Sequence, residues 1–367
     1  MVSGRPVLAA VHQTPPPEQA GLTVAVVVDR AVLQAIKPFD ALRNGFLRQF
    51  ARPLKPFIAQ RELRVAALGG FSLMLAFALT LTVPLWLLTI GPLVLGVPHL
   101  LADLRYLMVR PGLHQRRGFL LLVGIPLLAT LIMPRLWIGL LSVAGAALLA
   151  RVSWSLRSSA ALLALAMAAG TAALGGWASL LFAHAHNGIA LVLWWQWRAT
   201  RPRVQWWIPA LFGFGILTLA VAGDAAVFHL GSLEPPGLGL DVDSLAWGLA
   251  PWQAGPDWTV RLLLIFAFAQ ATHYAIWTRL IPEDARPRPG LRSFAGSYRA
   301  LIVDCGRPLV IAAVLVAGGL GVWALIEPAV ARNAYLQLAL FHGPMELAVA
   351  LLWTLEGRAA IVGKAAV

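Results

Sequence analysis

Residues 92–110 read PLVLGVPHLLADLRYLMVR. Crossing a bilayer as a helix takes about 20 mostly apolar residues, and this run is nearly that long. It also carries an imidazole and a carboxylate, His99 and Asp103, one helical turn apart. Residues at i and i+4 share a helix face. Ionisable side chains inside a membrane helix are costly and usually face a bundle interior where they have a task. The stretch therefore predicts two things together, a helical membrane fold and a polar site inside it.

The rest of the chain agrees with the first prediction. The 367 residues are 59% hydrophobic and 12% charged, with a mean hydropathy of +0.75, whereas soluble domains are about a quarter charged. Ten segments approach the length of a span: 66–89, 92–110, 118–133, 136–151, 159–175, 177–197, 206–228, 258–280, 308–327 and 333–355. Gly91–Pro92, Pro134, Gly175–Gly176 and Pro328 mark turns between them. Longer loops are expected at 229–257 and 281–307, the second polar and basic.

The net charge of +13 raises the question of nucleic acid. No charged run with interleaved aromatics supports that partner, and excess Lys and Arg in a membrane chain set topology instead. With the N-terminus inside, all but three of the 29 Lys and Arg fall on inner pieces. The exceptions are Arg135, Arg261 and Arg332. The bias predicts ten spans with both termini cytoplasmic, in an inner membrane of bacterial type. Trp194, Trp195, Trp197, Trp206 and Trp207 are expected at one boundary, and Trp247, Trp252 and Trp258 at the other.

Three regions follow: a basic tail at 1–64, a membrane domain at 65–357 and a short tail at 358–367. The first 30 residues lack the apolar core and cleavage site of a signal peptide. Within residues 31–64, Phe39, Leu42, Phe46 and Phe50 recur at three- and four-residue steps, the pattern of an amphipathic helix lying on anionic lipid. A tail that only sets topology reads equally well. The single cysteine, Cys305, excludes an internal disulfide.

Polar residues inside the spans are few. Span two has His99 and Asp103. Span six has His184, His186 and Asn187, in FAHAHNG. Span eight has Gln270, His273 and Tyr274, in AQATHYAIW. Span ten has His342 and Glu346, in LFHGPMEL. All four spans are even-numbered and run the same way. At about 1.5 Å per residue these groups lie roughly 10–22 Å below the outer end. His342 and Glu346 repeat the i, i+4 spacing of His99 and Asp103. His184 and His186, two apart, reach one centre only from a distorted helix.

Imidazole and carboxylate together suit iron, zinc, manganese or copper. The expected ligands are His99, Asp103, His184, His186, His273, His342 and Glu346, with Asp103 and Glu346 also the candidate acid–base groups. Asn187, Gln270 and Tyr274 are expected to surround them. The set is too rich for one four-coordinate structural zinc and suggests one redox metal or two. Other readings remain open. Chains of His, Asp and Glu also relay protons in ion-coupled transporters, and histidines on facing helices also ligate haem.

GVPHLLAD resembles the Gly-x-Pro-His-Gly-x-x-Asp signature of the Brp/Blh-type β-carotene dioxygenases. The match runs through Gly96, Pro98, His99 and Asp103, and Leu100 stands where that family has glycine. The resemblance implies a polytopic protein that uses non-haem iron and dioxygen on a lipophilic polyene. The combined expectation is an all-helical membrane bundle holding an iron-dependent oxidising centre. Its partners would be membrane lipid, dioxygen and a lipophilic small molecule.

Overall fold

The computed structural model describes residues 24–198, 202–230, 245, 249–250, 255–287 and 290–357. The described residues contain helices and no strand. Two helices precede the bundle, α1 (Val24–Gln49) and α2 (Ala51–Ala59). The bundle begins with α3 (Arg61–Thr82), α4 (Pro84–Val109), α5 (Arg117–Ile132) and α6 (Leu136–Leu149). It continues with α7 (Trp154–Leu174), α8 (Gly176–Gln196), α9 (Trp207–Leu230) and α10 (Pro256–Asp284). It closes with α11 (Phe294–Cys305), α12 (Arg307–Ala324), α13 (Pro328–Ala339) and α14 (His342–Glu356).

Among the described residues, seven helical stretches are long and apolar enough to cross a membrane: α3, α4, α7, Arg203–Ala225 within and before α9, α10, α12, and α13 with α14 taken together. The shorter α5 and α6 are apolar as well. The 21-residue α8 is long enough, but His184, His186 and Asn187 dilute its apolar character. Eight of the ten expected segments each lie along a single helix; 66–89 crosses the break between α3 and α4 at Val83, and 333–355 crosses the turn between α13 and α14.

Several boundaries differ from expectation. Gly91–Pro92 makes no turn, because Pro92 sits inside α4. The break comes at Val83, with Pro84 at the first helical position, where its missing N–H costs nothing. The segment 281–307 is not simply a loop. α10 runs on to Asp284, and α11 starts at Phe294 behind a Ser293 cap whose side chain accepts from the Gly296 N–H at 3.0 Å. Arg332, counted with the outer charges, is buried: it donates to the Leu88 carbonyl at 3.0 Å and to Asn333 at 3.0 Å. Most of the expected loop 229–257, including Trp247 and Trp252, and the tail 358–367 lie outside the described residues.

The N-terminal region does form a helix with Phe39, Leu42, Phe46 and Phe50 exposed. It is also tied to the bundle. Asp40 accepts from the N–H groups of Phe294 and Ala295 at 2.7 and 3.0 Å, placing a carboxylate at the positive end of α11. The Tyr298 hydroxyl donates to Asp29 at 2.6 Å. Burial and that carboxylate push the Tyr298 phenol up to about 12.

At one end of the bundle, arginines and carboxylates form a buried to half-buried ion-pair layer. Arg64 binds Glu283 at 2.5 Å, Arg198 binds Asp284 at 3.1 Å, and Trp194 donates to Asp284 at 2.9 Å. Arg105 and Arg110 converge on Asp304 at 2.5 and 3.0 Å. Nearer the middle, α4, α10, α8 and α14 pack on one another in a closed ring. α3 and α9 pack against α10, α12 against α4, and α6 against α14. The four helices of the ring are those that carry the polar residues.

Candidate metal centre

Each ring helix is shaped near its polar residues. Pro344 lacks an N–H and cannot continue a regular helix from α13, so the chain turns at Leu340–Phe341 before α14. This leaves the Ala339 carbonyl to accept from His342 Nδ1. Pro98 does not break α4, but a π-helical turn over Leu104–Val109 follows Asp103 directly. A second π turn, Ile276–Leu280, begins three residues after His273. Such one-residue expansions recur at functional sites because they re-aim the side chains that follow.

The ring brings His99, Asp103, His273 and His342 together. One ligand atom from each lies within 4.8 Å of the others, and all four residues are inaccessible or nearly so. The His99 ring is centred 5.3 Å from that of His273 and 5.0 Å from that of His342. His186 borders the group, 5.1 Å from both His273 and His342. Glu346 lies beside it, with Oε1 3.6 Å from His273 Nε2.

Hydrogen bonds select which imidazole nitrogen remains for a ligand. His342 Nδ1 is bonded to the Ala339 carbonyl and His186 Nδ1 to the Ala183 carbonyl, the latter at 3.2 Å. His99 Nδ1 meets the Tyr335 hydroxyl at 3.3 Å. In each case Nε2 is left, and a partner on the far nitrogen is the usual support of a metal-binding histidine. The buried atoms without a hydrogen-bond partner in the protein make the same point. They include His99 Nε2, His342 Nε2, both nitrogens of His273, both oxygens of Asp103 and Glu346 Oε2. Buried polar groups are nearly always paired, and leaving one unpaired costs about 1–3 kcal/mol. So many lone pairs converging on one place fit a cation. The buried group of three histidines and one aspartate could hold a metal ion.

Not all expected residues join it. His184 is separate: its Nε2 bonds to the Leu249 carbonyl at 2.8 Å and its ring meets Phe266 edge-on. The regular geometry of α8 sends His184 and His186 to different faces, as two-residue spacing requires. Asn187 is buried and donates to Ala183 at 3.0 Å, and Gln270 is buried on α10. Tyr274 packs on His99, ring centres 4.6 Å apart.

Two neighbours were missed from sequence. Trp277 donates to Glu346 Oε1 at 2.7 Å from full burial. Tyr335 reaches His99 from α13, and it can do so because Gly96 leaves room: a Cβ there would stand 2.3 Å from the Tyr335 ring. Trp277 lies four residues after His273, a spacing that places both on one face. That was the available signal for it. Comparison with family models, with curated proteins and with solved structures finds no match.

Proposed function

We propose that this chain is a membrane-embedded, non-haem metalloenzyme that uses iron and dioxygen to oxidise or cleave a lipid-soluble substrate. The observation that carries the reading is the convergence of His99, Asp103, His273 and His342, with their ligand atoms otherwise unpartnered, inside an apolar bundle. Three imidazoles and a carboxylate suit iron, with zinc, manganese and copper as alternatives. Iron would supply the redox chemistry through coordination positions that the protein leaves open.

The chain's own residues have distinct tasks in this reading. His99, His273, His342 and Asp103 hold the ion. Tyr335, on His99 Nδ1, and the Ala339 carbonyl, on His342 Nδ1, fix the rings in place. Glu346, held by the Trp277 N–H, keeps one oxygen unpartnered and is placed to take or return a proton beside His273. His186 and Glu346 are the residues that would complete a second metal position. The resemblance of GVPHLLAD to the β-carotene dioxygenases suggests a polyene as substrate. Cleaving one C=C bond with O2 yields two carbonyl groups, uses both oxygen atoms and needs no external reductant.

A haem fits less well. His99 is packed at once against His273, His342, Tyr274 and Tyr335, which leaves no flat slot between two facing imidazoles. Ten spans, cytoplasmic termini and a bacterial-type inner membrane remain our reading of the charge bias.

Metal analysis of the purified protein tests the proposal, run beside His99→Ala and His342→Ala. Near-stoichiometric iron in the parent, lost in both variants, is the expected result. Active parent protein free of metal would overturn it and favour a proton-coupled transporter. Coexpression with a β-carotene pathway tests the substrate: unchanged carotenoid with no retinal removes the polyene.

A further inference from the structure

The bundle contains a second chemical environment, apart from the metal centre. A cavity of about 610 Å³ opens among α1, α3, α4, the end of α10, α11 and α12. That volume suits a drug-sized or lipid-sized ligand. Its lining is divided in character. Arg43, Arg64, Arg105, Arg279, Arg286 and Arg292 line it, and Glu283 is the only carboxylate that does. The remainder is apolar, including Val97, Leu101, Ala102, Val310, Ala313 and Ala317.

The charges do not cancel locally. Glu283 is engaged by Arg64 at 2.5 Å and by Arg286 at 2.9 Å. Asp304, which does not line the cavity, takes Arg105. Arg279 and Arg292 make no ion pair among the described residues. Burial holds the Arg286 guanidinium below its ordinary value, and the like charges of Arg292 and Arg64 press the same way against the pull of Glu283. An anion would relieve that crowding, since guanidinium groups bind phosphate and carboxylate by charge-assisted, often paired, hydrogen bonds. The alanines and valines beside them offer the opposite chemistry, a slot for hydrocarbon. α1 covers the cavity through Val32 and Arg43, held there by the Asp40 and Asp29 contacts to α11.

We propose that this cavity is a binding site for an amphiphile with an anionic phosphate or carboxylate head and a hydrocarbon tail, the head among Arg279, Arg286 and Arg292 and the tail along α4 and α12. The site is separate from the metal centre, and Trp277 is the wall they share: it lines the cavity and donates to Glu346. Its occupancy does not depend on which metal, if any, the histidines hold.

Equilibrium binding of radiolabelled dodecyl phosphate to the full chain in phosphatidylcholine nanodiscs tests this. Unlabelled dodecyl phosphate, inorganic phosphate and dodecanol serve as competitors. Dodecyl phosphate should compete at least about tenfold better than either, because each of the others supplies only half of the ligand. The Arg279→Gln/Arg292→Gln variant removes the two unpaired guanidinium groups and should weaken binding about tenfold or more. Its thermal unfolding should stay unchanged. Ala317→Phe fills the apolar end, leaves every arginine in place, and should also weaken binding. Equal competition by inorganic phosphate would reduce the cavity to a simple anion site. Equal competition by dodecanol would reduce it to an apolar slot. Parental affinity in the double-arginine variant would place the ligand elsewhere. Any of these three results overturns the proposal.

Discussion

The candidate metal centre and the Arg64–Glu283 pair at the basic end are both buried, yet the two regions treat their polar atoms in opposite ways. At the basic end, Arg64 meets Glu283, Arg198 meets Asp284, and Trp194 completes Asp284. Donors and acceptors there answer one another within the protein. At the centre, His273 has neither nitrogen bonded and Asp103 neither oxygen. The basic end holds helices α3, α8 and α10 in register. The centre keeps its lone pairs for something the chain does not supply. Burial alone therefore does not set the centre apart in this molecule; the convergence of several unpartnered atoms does.

The contrast can be broken by exchanging the roles of the two regions. The largest effect is expected at the centre. His273→Ala should lower metal affinity by more than about a hundredfold, since even residues that merely support a ligand account for 10- to 100-fold. Metal titration of purified protein reads this, while the unfolding midpoint of metal-free protein should fall only by the cost of emptying one buried ring position, because neither nitrogen of His273 has a hydrogen-bond partner in the protein. A metal-free variant that unfolds far more easily would mean that the centre is structural.

The reverse is expected of Glu283→Ala. It removes the carboxylate that pairs with Arg64, whose side chain is 6% exposed, and breaking one side of a buried pair costs about 3–5 kcal/mol. Denaturant unfolding should register that loss, with metal content preserved in the folded fraction. Loss of metal at full stability would show that the two regions are not independent.

The smallest effect concerns pH. Burial by itself would push the Asp304 carboxyl up, but Arg105 and Arg110 outweigh it and hold it below the usual carboxylate value. A lowered folded-state value means that the contribution is complete above about pH 4 and is lost as pH falls through that lower value. Asp304→Asn should flatten this acid limb of the stability curve and leave neutral pH behaviour nearly unchanged. A steep acid limb that survives the substitution would assign the effect to another carboxylate. Cys305 next to it is pushed up by burial, so its thiol stays protonated and takes no part.

Much of this arrangement was legible in the sequence. Apolar run lengths placed eight of the ten expected segments on single helices, because crossing hydrocarbon demands length and little else; 66–89 and 333–355 each straddle a break. His99, His273 and His342 were legible for the same reason: an imidazole in such a run stands out. Proline misled where its position within a helix matters. Pro92 reads as a breaker yet lies inside α4, while Pro84 starts that helix. Charge counting left the surroundings of Arg332 open, since it does not tell a snorkelling side chain from one turned inward to the Leu88 carbonyl. His184 and His186 show the limit most clearly. Spacing put them on different faces, but only tertiary packing decided which of the two meets His273. Tyr335 was invisible because its contact with His99 depends on the absence of a side chain at Gly96.

The π turn that follows Asp103 has a consequence for how the protein tolerates insertions and deletions. A π turn is an α-helix with one residue too many. Deleting one residue from Leu104–Val109 would let the segment relax to ordinary helix, because the π turn has absorbed that residue without advancing the helix phase by the usual step of about 100°. His99 and Asp103 on one side, and Arg110 on Asp304 on the other, would keep nearly their present facing. The same deletion between His99 and Asp103 would turn the two out of register by about 100°. The π turn is thus a stretch of α4 that can lose a residue without parting the two chemistries on that helix.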